Sequence, residues 1–218
     1  MSFERALEAR GGRAVIQRFG RWDALTVRQQ TSVTEVVLSW ETKNRYEVFE
    51  PAGRAVLSVT EVGSGLGEVM GRWFLGPSRA CRLQVRDAQD QLPVLALKKK
   101  FRLFFPELRV FAPDGEPLGR VVRRFSWLHR IYEVQDHRTG ERLELEGPWW
   151  RPWTFRVRQS GREVGAIRKQ WSGLGTELFT DADHFGVELG RIGSVDMRAL
   201  VFAATMLIDL VHFERSKR

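Results

Sequence analysis

The sequence predicts an all-β protein with one C-terminal helix. Close to a dozen antiparallel strands must either close on themselves or stack to hide their edges. Three observations lead there: five alternating segments that fold back around Gly- or Asp-bearing turns, valines that recur within them, and one apolar, helix-forming stretch near the end.

The first strands fall at Leu25 to Gln29 and Val33 to Glu41. Arg45 to Glu50 then runs into Pro51-Ala52-Gly53 and returns through Arg54 to Val59. Arg82 to Arg86 turns at Asp87 to Gln91 and returns from Pro93 to Leu97. Glu107 to Phe111 turns at Pro113-Asp114-Gly115 and returns through Arg120 to Arg123. Ile131 to Val134 turns at His137 to Gly140 and returns from Arg142 to Leu145. Thr154 to Arg158 turns at Ser160-Gly161 and returns through Val164 to Ile167. The marker valines Val48, Val85, Val110, Val134 and Val157 are 37, 25, 24 and 23 residues apart. Polar residues at alternate positions describe a sheet with one wet face.

From Val195 to Phe213 the chain has neither Gly nor Pro, and Ser194 is placed to cap it. Between Ala199 and Ile208 it is apolar on nearly every side, as a helix surrounded by protein must be. Nineteen such residues reach roughly 28 Å, about the height of a barrel of short strands. Asp196, Arg198, Asp209, His212 and Glu214 are expected to meet solvent at the two mouths.

With 43% hydrophobic residues, eight Trp and fourteen Phe, the 218-residue chain is not a solvated coil. Cys81 is its one cysteine, which excludes a disulfide scaffold. Lys and Arg exceed Asp and Glu by 35 − 27 = 8, and six Lys against 29 Arg make up the cations. Such a balance favours anionic membranes or nucleic acid. Residues 1–20 are charged throughout and read as a tail or a short extra element before a single domain spanning 21–218. The longest uncharged apolar run, Ala199 to Ile208, is half of the about 20 residues that a bilayer span needs. A cytoplasmic protein that meets membranes from outside is expected.

Catalytic readings find little support. Gly63-Ser64-Gly65-Leu66-Gly67 lacks the helix that a phosphate-cradling loop requires. His129, His137, His184 and His212 fall in separate segments without ligand spacing, and Cys81 has no nearby His. No paired carboxylates stand out, so no enzyme is expected. The basic runs Arg120 to Arg124 and Gly165 to Gln170 make nucleic acid a runner-up partner.

The stretches NRYEVFEPAGR (Asn44 to Arg54), GPSR (Gly76 to Arg79), GAIRKQWSG (Gly165 to Gly173), FTDADHFGVEL (Phe179 to Leu189) and VDMRALVFAATMLID (Val195 to Asp209) resemble the phospholipid scramblase family. More broadly they resemble the tubby-like group that includes the LURP-one-related proteins. The resemblance implies a closed antiparallel barrel of twelve strands around the hydrophobic C-terminal helix. It also implies calcium-responsive movement of phospholipids between leaflets, at the inner face of the plasma membrane. This chain resembles a short form, lacking the Pro-rich N-terminal segment and the acylated Cys runs of animal scramblases.

Where the resemblance places those Cys runs, this chain has Arg72-Trp73-Phe74-Leu75, Lys98-Lys99-Lys100-Phe101-Arg102-Leu103-Phe104-Phe105 and Trp149-Trp150-Arg151-Pro152-Trp153. Aromatic rings suit the bilayer interface, and clustered cations attract anionic headgroups. Trp73, Phe74, Lys98, Lys99, Lys100, Arg102, Trp149, Trp150, Arg151 and Trp153 are therefore the expected lipid-binding residues, in three loops sharing one barrel end. The segment the family assigns to calcium reads Asp181-Ala182-Asp183-His184-Phe185-Gly186 here. An EF-hand loop would also need oxygens at its positions 5, 9 and 12, where Phe185, Leu189 and Ile192 stand. Asp181 and Asp183 with Glu188 make at most a weak calcium site. The expected function is peripheral, scramblase-like work on anionic phospholipids. A tubby-like lipid- or ligand-binding module without transport is the alternative.

Overall fold

The computed structural model describes residues 12–30, 44–62, 80–151, 153–170 and 184–212. A short helix α1 (Gly12–Ile16) and a 3₁₀ turn (Gln17–Arg21) lead into twelve strands. They are β1 (Ala24–Gln29), β2 (Arg45–Phe49), β3 (Ala55–Val62), β4 (Cys81–Asp87), β5 (Pro93–Lys99), β6 (Glu107–Phe111), β7 (Pro117–Arg124), β8 (His129–Asp136), β9 (Arg142–Pro148), β10 (Thr154–Gln159), β11 (Arg162–Gln170) and β12 (His184–Glu188). Helix α2 (Val195–His212) follows. Each strand pairs antiparallel with its sequence neighbour, and β1 pairs with β12 to close the cylinder. All five expected hairpins form; the expected strand Val33 to Glu41 lies outside the described residues.

Alternation decides what faces inward. Along β8 the inward residues are Arg130, Tyr132, Val134 and Asp136, all buried, while Ile131, Glu133 and Gln135 face out. The apolar interior is filled by α2, whose residues from Ala199 to Leu210 are all buried. Ser194 caps it, its hydroxyl accepting the Met197 amide at 3.3 Å. The helix lies so close to the wall that a Cβ on Gly119 would stand 2.3 Å from the Gln135 carbonyl and 2.7 Å from Leu200. Glycine leaves that room.

Twelve antiparallel strands sort the connections by parity. The tight hairpins after β2, β4, β6, β8 and β10 sit at one end, with Gly115 and Gly140 taking positive φ in two of them. The longer connections sit at the other. At the hairpin end the 3₁₀ turn closes the mouth: Phe19 packs on Trp22 and Phe202 at centroid distances of 5.3 and 5.5 Å. Arg13 and Arg138 each reach Asp196 at 3.4 Å, and Arg198 donates to the carbonyls of Gly20, Trp22, Gly190 and Ile192. Asp196 thus does not meet solvent freely, contrary to expectation; the N-terminal turns cover it. Asp209 departs further. It is buried, with the Tyr46 hydroxyl donating to it at 2.6 Å.

Candidate functional site

The described connections at the loop end are 100–106 between β5 and β6, 125–128 between β7 and β8, and 149–153 between β9 and β10. The first holds Phe101, Leu103, Phe104 and Phe105, the second Phe125, Trp127 and Leu128, the third Trp149, Trp150 and Trp153. All ten are exposed, Trp127 at 84% and Phe104 at 76%. Among the described residues the only other exposed large apolar side chain is Val62, which ends β3 at this same rim. Scattered single apolar residues on a surface are ordinary, but the set exposed among the described residues is gathered on one end, which marks an interaction surface.

The rim is built, not frayed. Arg130, 3% exposed, donates through Nη2 to the carbonyls of Pro148 and Arg151 at 3.3 Å each. Its guanidinium also lies 5.5 Å from the Trp149 ring and 5.1 Å from Phe155. Arg130 therefore holds the tryptophan loop from below. Trp150 rests against His129 at 5.8 Å, and Phe125 meets Trp127 edge-on at 5.5 Å. In loop 100–106, Arg102 reaches Glu107 at 2.6 Å while Arg109 holds its other oxygen at 2.8 Å. Burial alone would raise the Glu107 carboxyl, but the Arg109 hydrogen bond and the charges of Arg102, Arg109 and Lys100 outweigh it and hold it below its usual range.

Beneath the rim, His212 closes the C-terminal end of α2. Its Nε2 is 2.7 Å from the Tyr132 hydroxyl, and its ring stacks on Phe155. Burial pushes His212 down to about 3, with the charges of Arg130 and Arg123 adding to the effect. Burial likewise raises the Tyr132 phenol, against the opposing pull of Arg123 and Arg130. The unfolded chain, with His near pH 6.5, takes up a proton that the folded chain refuses. The corresponding stability is present above about pH 6.5 and is lost as pH falls towards 3, by about 2 kcal/mol at pH 5. The groups facing His212 include Arg123 from β7, Arg130 and Tyr132 from β8 and Phe155 from β10. Urea unfolding of His212→Gln should show a smaller loss between pH 8 and pH 5 than the unsubstituted protein. Parallel losses would place the acid sensitivity elsewhere.

Of the expected lipid-binding residues, Lys100, Arg102, Trp149, Trp150, Arg151 and Trp153 lie in two loops of this one end. Lys98 faces outward from β5 with its Nζ 4.5 Å from the Phe111 ring centroid. Lys99 points into the barrel and is 4% exposed, because alternation turns the middle lysine inward. Trp73 and Phe74 lie outside the described residues, as do Asp181 and Asp183. Glu188 ends β12 on the outer face, where it pairs with Arg168. The strand carries it about 13 Å from His184. Among the described residues no three His, Cys, Asp or Glu side chains converge to hold a metal.

Loop 125–128 escaped the sequence reading. Phe-Ser-Trp-Leu carries no Gly, Pro, Asn or Asp between two strands, and that apolar connection was the available signal.

The chain matches the family described as Scramblase over residues 8–215. It is 30% identical to phospholipid scramblase 2 of Bos taurus over 209 residues, covering 89% of this chain and 70% of that one. It is 31% identical to phospholipid scramblase 1 of Rattus norvegicus over 208 residues, covering 89% and 61%. To phospholipid scramblase family member 5 of Homo sapiens it is 24% identical over 215 residues, covering 92% and 78%. The chain thus spans as little as 61% of the length of relatives it matches. No solved structure matches it.

Proposed function

Because the chain belongs to the scramblase family, we propose that it is a peripheral membrane protein that seats its loop end on anionic phospholipids and moves phospholipids between leaflets. The observation that carries this reading is the gathering of exposed aromatic side chains on one rim, with Lys100, Arg102 and Arg151 among them. Aromatic rings half-bury at the headgroup level, and each nearby cation adds about 1 kcal/mol on an anionic surface.

The wall is unsuited to hydrocarbon. Its outward residues include Arg82, Arg109, Arg120, Arg142, Glu144 and Arg156, and its inward ones are mostly apolar, the reverse of a transmembrane barrel. Among the described residues no helix is long and apolar enough to cross a bilayer. With α2 filling the lumen, lipids pass around the seated rim, where inserted rings loosen headgroup packing, and not through the cylinder. The cytoplasmic face of the plasma membrane is the surface we propose for it in a cell.

Little calcium response is expected, since Glu188 is committed to Arg168. In proteoliposomes with fluorescent phospholipid in both leaflets, external dithionite should quench beyond the outer-leaflet half, equally with and without calcium. Binding to the vesicles with quenching that stops at half would make the protein a lipid-binding module. A strict calcium requirement would overturn the calcium-independent reading.

A further inference from the structure

The outer face of β4 to β7 carries a row of cations set by strand register. Arg82 stands opposite Lys98, Lys98 opposite Arg109, and Arg109 opposite Arg120. All four are exposed and alternate with inward neighbours, so they share one face. Neighbouring strands lie about 4.8 Å apart, which gives the row a length of about 14 Å. Like charges directly opposite each other destabilise a sheet, a cost that among the described residues only Glu107 offsets, at Arg109. Glu107 is the one carboxylate turned outward on these four strands, and it is shared between Arg102 and Arg109. Among the described residues Arg82 has no ion-pair partner, Lys98 lies over Phe111, and Arg120 donates to Gln135, a neutral partner.

The rest of the wall is balanced. On the other strands Glu47, Glu133, Glu144, Glu146, Glu163 and Glu188 face outward among the arginines. Several are paired: Arg158 with Glu146, Arg156 with Glu163, Arg168 with Glu188. Among the described strands the excess positive charge is therefore gathered on one flank, not spread evenly.

Register also fixes where the row begins. Arg82 is the second residue of β4 and Lys98 the next to last of β5, both at the loop end, whereas Arg120 sits midway along β7. Barrel strands tilt by about 35–45°, so a row perpendicular to them descends from the rim along the side. Loop 100–106, with Phe101 to Phe105, Lys100 and Arg102, joins the rim to the row between β5 and β6.

We infer that Arg82, Lys98, Arg109 and Arg120 form a second lipid-contact surface, which binds the phosphates and carboxylates of anionic phospholipid headgroups and tilts the seated barrel onto its β4–β7 flank. This inference rests on the membrane seating proposed above and adds its orientation. The rim supplies insertion, with Lys100, Arg102 and Arg151 adding some attraction for anionic headgroups. The flank supplies most of the preference for anionic lipid.

The test compares R82Q/K98Q/R109Q/R120Q with R28Q/R142Q/R156Q/R168Q, which removes the same charge from the other flank. Both are measured by vesicle sedimentation on phosphatidylcholine alone and on phosphatidylcholine with phosphatidylserine, and by retention on duplex DNA. About fivefold per engaged cation, the first variant should lose at least about tenfold in serine-lipid binding. Raising salt should erase its difference from the unsubstituted protein. It should bind neutral vesicles unchanged, and the second variant should stay within about threefold on both. Equal losses in the two variants, or none in the first, would overturn the inference. So would a first variant that loses DNA retention and keeps lipid binding. A rim variant, F104S/W127S/W150S, separates the two ideas: if it keeps the serine-lipid binding that the flank variant loses, rim insertion is wrong and the flank stands.

Discussion

Replacing Phe104, Trp127 and Trp150 with Ser should release the protein from phospholipid vesicles, lowering partitioning by about a hundredfold. One side chain comes from each described loop of the rim, and each is exposed by more than two thirds. Fully burying such a ring contributes roughly 1.5–3 kcal/mol, and partial immersion at the headgroup level about 1 kcal/mol. Three rings then account for about 3 kcal/mol, near a hundredfold in a partition constant. The triple variant should melt with the unsubstituted protein, since exposed rings contribute little to the core. Trp149 is spared because it lies over Arg130, and its loss would disturb the loop itself. Co-sedimentation, with the blue shift of tryptophan emission on vesicle addition, reads the outcome. Unchanged partitioning would remove the rim from any account of membrane contact.

Phe202→Ala should destabilise the barrel by about 3–5 kcal/mol. The ring is wholly buried midway along α2 and packs on Phe19, which in turn meets Trp22. Truncation leaves a cavity where the helix, the wall and the N-terminal turn converge. Domains are stable by only about 5–15 kcal/mol, so the midpoint of thermal unfolding should fall by about 10 °C. A loss under 1 kcal/mol would mean that α2 does not form the core. The same substitution should leave vesicle binding intact at temperatures where the variant is folded, because Phe202 is remote from the rim.

The architecture was legible because two periodicities speak for themselves. Strands of period two around Pro-Asp-Gly and Ser-Gly turns, and a helix apolar on all sides, left few ways to hide edges and bury grease. What stayed illegible depended on parity or on distant partners. Three consecutive lysines read as one patch, yet the strand runs through Lys99 and turns it inward. Asp209 read as a mouth residue because its partner Tyr46 is 163 residues away. Residues 1–20 read as a tail or an extra element from their charges. Val15, Ile16 and Phe19 among them are buried, while Arg13 and Arg18 pair with Asp196 and Asp87. The cation row was present in the sequence as four basic residues scattered over four strands. Only register aligned them.

The strand that starts the cylinder is sealed by the one that ends it, Ala24 opposite Glu188, and the plug comes later still. While a ribosome is still making the chain, eleven strands have emerged with neither seam partner nor stuffing. Contacts so distant along the chain form slowly. The growing sheet must therefore wait with its greasy lining uncovered until the final helix is released.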